Sequence, residues 1–140
     1  MNKTSTMSGG CLCGAVRFDA AGVDTGHHAC HCSMCRRWAS GPVFAADAGS
    51  VQFSGEENVT RYDSSDWAAR GFCKHCGSHL FYYLKPAEAY HLCVGAFDDP
   101  AQFQLDVELF VDHKPAGYAF KGAKQQLTEE QVFAAFNGGD

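Results

Sequence analysis

The chain has 140 residues with a formal net charge of −5, and 46% of it is hydrophobic, 13% aromatic and 19% charged. That length suits one domain, able to bury about 68–70% of its unfolded surface, and the acidic balance lacks the concentrated basic face that nucleic acid demands. The opening MNKTSTMSGG lacks the apolar core of a signal peptide or membrane anchor. The expectation is a soluble, cytoplasmic protein, with residues 1–8 a disordered tail and 9–140 a single domain.

In chain order, AVRFDA comes first as a strand, with Val16 and Phe18 on one face and Arg17 and Asp19 on the other. A short helix starts at Ser33, runs through Trp38 and stops before Gly41–Pro42, where proline interrupts it. VQFSG, VTRY, HLFYYL and HLCVGAF then read as strands of an antiparallel meander, rich in aromatic and β-branched residues, with GEEN and DSSD as turn-like connectors. Asp98 and Asp99, just before Pro100, read as a turn. LTEEQVFAAFNGG carries a helix signature: Thr128 and Gln131 make a capping box, Leu127 and Val132 a hydrophobic staple, and Gly138 or Gly139 the stop. Its apolar stripe of Val132, Phe133 and Phe136 is expected to pack on the sheet. The fold class is mainly β, with antiparallel sheets, a short helix after the Cys30–Cys35 motif and a C-terminal helix.

Of the eight cysteines, seven fall into three groups. Cys11/Cys13 and Cys30/Cys32 are spaced by one residue, too close to be good disulfide partners but well placed to offer two sulfurs to one ion. Cys32/Cys35 and Cys73/Cys76 add C-x-x-C spacings that wrap a turn around a metal, so metal is favoured over disulfides. CLCG and CKHCG both end in Cys-Gly, which lets the chain turn sharply and bring backbone N–H groups towards sulfur. Two such turns closing on one ion give a complete four-cysteine shell, and Cys11, Cys13, Cys73 and Cys76 are assigned to a structural zinc.

Cys30, Cys32 and Cys35 remain, one short of a tetrahedral shell. Cys35 is expected in the first helical turn, where N–H groups stabilise a thiolate, and Arg36 and Arg37 offset the charge of three thiolates on one ion. Three protein ligands with one position left for water or a substrate thiol describe a catalytic or exchangeable zinc. The alternative is closure by a histidine. His31 lies inside the motif but, between Cys30 and Cys32 in an extended segment, points to the opposite side; His28 shares their parity, and His27 and His75 are further candidates. Cys93, alone in an apolar strand, reads as a small buried hydrophobe.

With the cysteines grouped this way, the sequence resembles the glutathione-dependent formaldehyde-activating enzyme (Gfa) family, which includes the vertebrate centromere protein V. The resemblance rests on GGCLCGAVRF, CHCSMCRRWASG and ARGFCKHCGSHLFY, with VGAFDDP in support. Flanking Gly14, Arg17, Arg36, Gly77 and Ser78 belong to the matching motifs. The resemblance implies antiparallel sheets gathered around zinc (a β-tent), two zinc ions per chain, and a carbon–sulfur lyase that joins formaldehyde to the glutathione thiol. It implies the same division: Cys11, Cys13, Cys73 and Cys76 structural, Cys30, Cys32 and Cys35 on the catalytic zinc. Arg36 and Arg37 could receive glutathione carboxylates bidentately, or serve only to offset thiolate charge. After Pro100 the match thins: VELFVDHKPAGYAF does not show the family's usual later histidine and tryptophan, and Glu108, His113 and Tyr118 stand in that stretch.

Three functions follow for such a chain. The leading one is a zinc-dependent lyase taking glutathione or another small thiol and a small aldehyde, with neither nucleic acid nor membrane as partner. The others are a non-catalytic glutathione or zinc carrier, and an interaction module with two structural zincs.

Overall fold

A computed structural model of the chain describes residues 6–138. The strands of its first part are β1 (Thr6–Gly10), β2 (Arg17–Ala21), β3 (Gly26–Cys30), β4 (Val43–Ala48), β5 (Ser50–Ser54) and β6 (Val59–Asp63). After them come β7 (Ala68–Cys73), β8 (His79–Leu84), β9 (Ala89–Cys93), β10 (Gln104–Leu109) and β11 (Gln125–Leu127), and the helices are α1 (Ser33–Ala39) and α2 (Glu129–Gly138). The chain clusters into two compact units, one running to Thr25 and adding Ala45–Phe103, the other made of Gly26–Phe44 and the chain from Gln104 onward.

In the first unit, β1, β2 and β5 form an antiparallel sheet in that order. The alternation read from AVRFDA holds: Val16, Phe18 and Ala20 are buried, while Arg17 and Asp19 face out. Thr6–Ser8, expected as tail, pair with β2 from Asp19 to Ala21, and the Ser8 hydroxyl donates to Asp19 at 2.5 Å. Backbone donors and acceptors satisfied in a ladder order a polar segment that composition alone leaves loose. Residues 1–5 of that expected tail lie outside the described residues. In the same unit Ala45–Ala48 of β4 pair antiparallel with β9, followed outward by β8, β7 and β6. HLCVGAF is not one strand. β9 ends at Cys93, and Val94–Ala96 coil into a 3-10 turn that brings Phe97 opposite Gly9. The core gathers Phe18, Leu80, Phe81, Leu92 and Phe97. Asp98 and Asp99 form the expected turn: Asp99 caps Pro100–Gln102 through the Ala101 amide, and Asp98 takes a two-pronged contact from Arg17 at 3.0 and 2.5 Å.

In the second unit β10 lies between β3 and β11 and runs parallel to both. The antiparallel expectation fails there because parallel neighbours require a long crossover, which adjacent-strand patterns cannot reveal. Cys32 caps α1, its sulfur accepting the Cys35 amide at 3.4 Å, and Ser40 ends the helix in the left-handed region (φ 66°) just before Gly41–Pro42. The capping box of α2 is present in both directions: Thr128 N donates to Gln131 Oε1 at 2.9 Å, and Gln131 N to Thr128 Oγ1 at 3.3 Å. Of the expected stripe, Val132 is buried but Phe133 is 44% exposed, its ring edge-on to Phe110 at 5.8 Å, and the Phe136 side chain lies outside the described residues. No described helix is long and apolar enough to cross a membrane.

Candidate functional site

Both cysteine groups converge in space, and none of the eight cysteines is in a disulfide. In the first unit the two Cys-Gly turns behave as their spacing dictates. Gly14 and Gly77 adopt φ of 83° and 77°, the left-handed region in which a side chain is strained. The turns carry amides towards sulfur: Val16 N donates to Cys11 Sγ at 3.3 Å and His75 N to Cys73 Sγ at 3.4 Å. The Ser78 hydroxyl ties the turns together, accepting the Leu12 amide at 3.0 Å and lying 3.2 Å from Cys76 Sγ. It is the main reason that Cys76 is pushed down to about 5. Cys13 is pushed up to about 11; the Ala15 amide opposes that rise, but desolvation and the neighbouring sulfurs prevail.

Sulfur spacing tests whether a metal fits. With Zn–S of about 2.3 Å, a regular tetrahedron has an edge of about 3.8 Å, whereas a disulfide needs about 2.05 Å. Cys11 and Cys13 sulfurs are 3.7 Å apart, and Cys13 and Cys73 sulfurs 3.8 Å. The donors fit a tetrahedral ion.

In the second unit the Cys30, Cys32 and Cys35 sulfurs lie within 4.8 Å of one another, and no histidine, aspartate or glutamate among the described residues joins them. Cys30 closes β3, Cys32 caps α1, and Cys35, 5% exposed, sits in its first turn. The helix N-terminal amides meet the capping Cys32: its sulfur accepts the Cys35 amide at 3.4 Å. Cys32 is pushed well down because its sulfur accepts from Cys30 and Cys35 and from the Cys35 and Met34 amides; Cys30 moves up as the matching donor. The cap residue, one position outside the helix, collects the amides that the first turn leaves unpaired.

His31 does not close the site. It is fully buried, its Nε2–H donating to Glu108 Oε1 at 2.8 Å and its Nδ1 2.9 Å from the Tyr118 hydroxyl. Glu108, 1% exposed, takes a second bond at its other oxygen from Gln126 Nε2 at 3.1 Å. The sequence reading saw that His31 points away from the sulfurs but found nothing for it to meet. The alternation of QLDVEL assigns Glu108 to the face opposite Leu105, Val107 and Leu109, which reads as outward; in the structure that face carries the buried Glu108, which meets His31 and Gln126. Arg36 is held against the loop, its Nε donating to the His31 carbonyl at 3.1 Å, while Arg37 is exposed. Cys93 is half-buried rather than a core residue, and with Cys11, Ser78 and His79 it lines a cleft of about 480 Å³.

Comparison with known proteins agrees with this arrangement. The model of the glutathione-dependent formaldehyde-activating enzyme family matches residues 6–113, which include all eight cysteines. An uncharacterized lyase of Schizosaccharomyces pombe is 32% identical over 126 residues, covering 89% of this chain and 92% of its own. A protein of Halomonas elongata, whose name assigns it provisionally to the glutathione-dependent formaldehyde-activating enzymes, is 30% identical over 142 residues, covering 93% and 88%. The crystal structure of a Rhodobacter sphaeroides protein superimposes with a TM-score of 0.56 at 28% identity, over 66% of this chain and 88% of that one. A family match spanning both cysteine clusters, over a mainly β fold, places this chain in the glutathione-dependent formaldehyde-activating enzyme family.

Proposed function

We propose that the chain joins a thiol, glutathione, to formaldehyde or another small aldehyde at a zinc ion held by Cys30, Cys32 and Cys35. A second zinc, held by Cys11, Cys13, Cys73 and Cys76, is structural. One observation carries this reading: three sulfurs converge with no histidine, aspartate or glutamate among the described residues beside them, in a chain whose other cluster supplies a full set of four. Sulfur-only donor sets favour zinc. The chemistry zinc supplies when bound is to generate thiolate at neutral pH and to polarise a carbonyl oxygen. The overall addition is redox-neutral. Sulfur bonds to the aldehyde carbon, the carbonyl π pair moves to oxygen, and the thiol proton ends on that oxygen.

The chain's own groups prepare that step. The Cys30 and Cys35 thiols, then the Cys35 and Met34 amides, lower the Cys32 thiol and so favour its thiolate. Arg36, fixed by His31, brings a permanent positive charge beside the sulfurs, and Arg37 on the exposed side of α1 is the better placed to meet a glutathione carboxylate. Eight unbridged cysteines support a reducing, cytoplasmic setting.

The test is NMR exchange between formaldehyde and S-hydroxymethylglutathione at equilibrium, with and without protein. The addition also proceeds spontaneously, so only acceleration above background counts. Acceleration that is lost in Cys32→Ser, with the fold retained, is the expected result. Glutathione binding without acceleration would refute catalysis and leave a carrier; neither binding nor acceleration would leave an interaction module.

A further inference from the structure

Glu108 is a carboxylate with 1% exposure, in a place where an apolar side chain would be cheaper to bury. It sits on β10 opposite Ala29, one residue before Cys30, and its partner His31 separates the two ligand cysteines Cys30 and Cys32. Every polar group of His31 is engaged within the same unit. Its amide donates to Leu109 O at 2.9 Å, its carbonyl accepts Arg36 Nε, and its ring nitrogens meet Glu108 and Tyr118. The ring also stacks on Phe120 at 5.9 Å and 25°. A residue so fixed between two sulfurs fixes the sulfurs too, because Cys30 and Cys32 reach their positions from the same short piece of backbone. Useful metal geometry needs its donors held within about 0.5 Å.

We infer that Glu108 and Tyr118 are positioning residues for the three-cysteine site, acting through His31 to set the angle at which Cys30 and Cys32 present their sulfurs. The inference rests on the reading that these cysteines hold a metal ion. The Gln126–Glu108–His31–Tyr118 chain draws on β10, β11 and the Lys114–Phe120 segment, none of which carries a sulfur donor. This is how a region remote in sequence comes to act on the metal. A role in stability alone would lower the melting temperature and leave the donor geometry unchanged at lower temperatures. The two roles therefore separate by spectroscopy.

The experiment loads the full-length protein with two equivalents of Co²⁺ and records d–d and thiolate charge-transfer bands, then release to a chelator. The four-cysteine site in the other unit is the internal control for folding. Glu108→Ala is expected to alter the bands of the three-cysteine site and weaken its retention of Co²⁺ about 10–100-fold. Glu108→Gln keeps both the volume and an oxygen to accept the His31 N–H and is expected to restore retention to within about 3-fold. Tyr118→Phe removes one hydroxyl and should produce the same spectral change at reduced size; it decides the matter if Glu108→Ala loses the control site and so fails to fold. Unchanged bands and retention in Glu108→Ala, or in Tyr118→Phe where that variant decides, would overturn the inference. A Gln variant as defective as Ala would do the same. A wild-type chain that binds a single Co²⁺ would instead refute the metal reading beneath it, and this inference with it.

Discussion

Gly71 lies on β7 directly opposite Phe81 of β8, and the Phe81 ring lies across the surface that a side chain at 71 would occupy. A Cβ built there meets Phe81 ring atoms at 2.2, 2.4 and 2.6 Å. Carbon pairs settle at about 3.5–4.0 Å, so Gly71→Ala asks the ring to move by roughly 1.5 Å. It has nowhere to go. Phe81 is fully buried, edge-on to Tyr90 at 5.0 Å and near Phe53 at 5.6 Å, with the Arg61 guanidinium 4.8 Å from its centroid. Overpacking of this kind costs about 1–3 kcal/mol, which for a chain of this size lowers the melting temperature by about 3–10 °C. Phe81→Leu alone should cost about 1–2 kcal/mol through the space it leaves. Combined, the two changes relieve each other, and the double variant should be at least about 1 kcal/mol more stable than the sum of the singles. Calorimetry on the metal-loaded protein supplies all four corners of the cycle. Strict additivity, or a Gly71→Ala loss below about 0.5 kcal/mol, would refute the jammed-ring reasoning.

Removing the Ser78 hydroxyl withdraws the leading influence that holds Cys76 near 5. Ser78→Ala should therefore weaken zinc retention at the four-cysteine site by about 10-fold at pH 6 and less at pH 8, where an unassisted thiol ionises more readily; chelator competition at the two values checks it. Burial pushes His27 below its ordinary 6.5, so between the folded and unfolded values the unfolded chain binds more protons. The stability that neutral His27 contributes is full above about pH 6.5 and is lost as pH falls below it. An NMR titration should give a midpoint below 6.5, and a midpoint above it would reverse the sign. Cys76→Ser should lower the melting temperature far more than Cys32→Ser, because a metal held tightly by four ligands contributes more folding free energy than an exchangeable one held by three. Equal losses by calorimetry would contradict the division of roles.

How much of this was legible depended on distance along the chain. Val16 and Phe18, the α2 capping box, the short helix starting at Ser33 and the cysteine groups are all patterns a few residues wide, and each appears in the structure where the pattern puts it. The four-cysteine cluster joins positions sixty residues apart, yet it was readable because both halves carry the same Cys-Gly turn. HLCVGAF misled because its apolar run continues past the point where pairing with Gly9 forces a turn, and Cys93 was accordingly taken as more buried than it is.

The same parity argument that gathers Cys30 and Cys32 sends His31 the other way, so the motif holds a sulfur face and a buried histidine face within three residues. Spacing could identify the first because its partners are cysteines close by. It could not identify the second, whose partners Glu108 and Tyr118 lie 77 and 87 residues on, the former on a strand that pairs in parallel. Nothing in QLDVEL marks its glutamate as buried; the partners that meet it, His31 and Gln126, lie 77 residues before it and 18 after it. From residue 114 onward the chain lies beyond the span that the family model matches, yet it supplies Tyr118 to His31, inside the three-cysteine motif, and Gln126 to Glu108, which His31 meets. On the inference drawn above, variation there would retune the three-cysteine site without touching a sulfur.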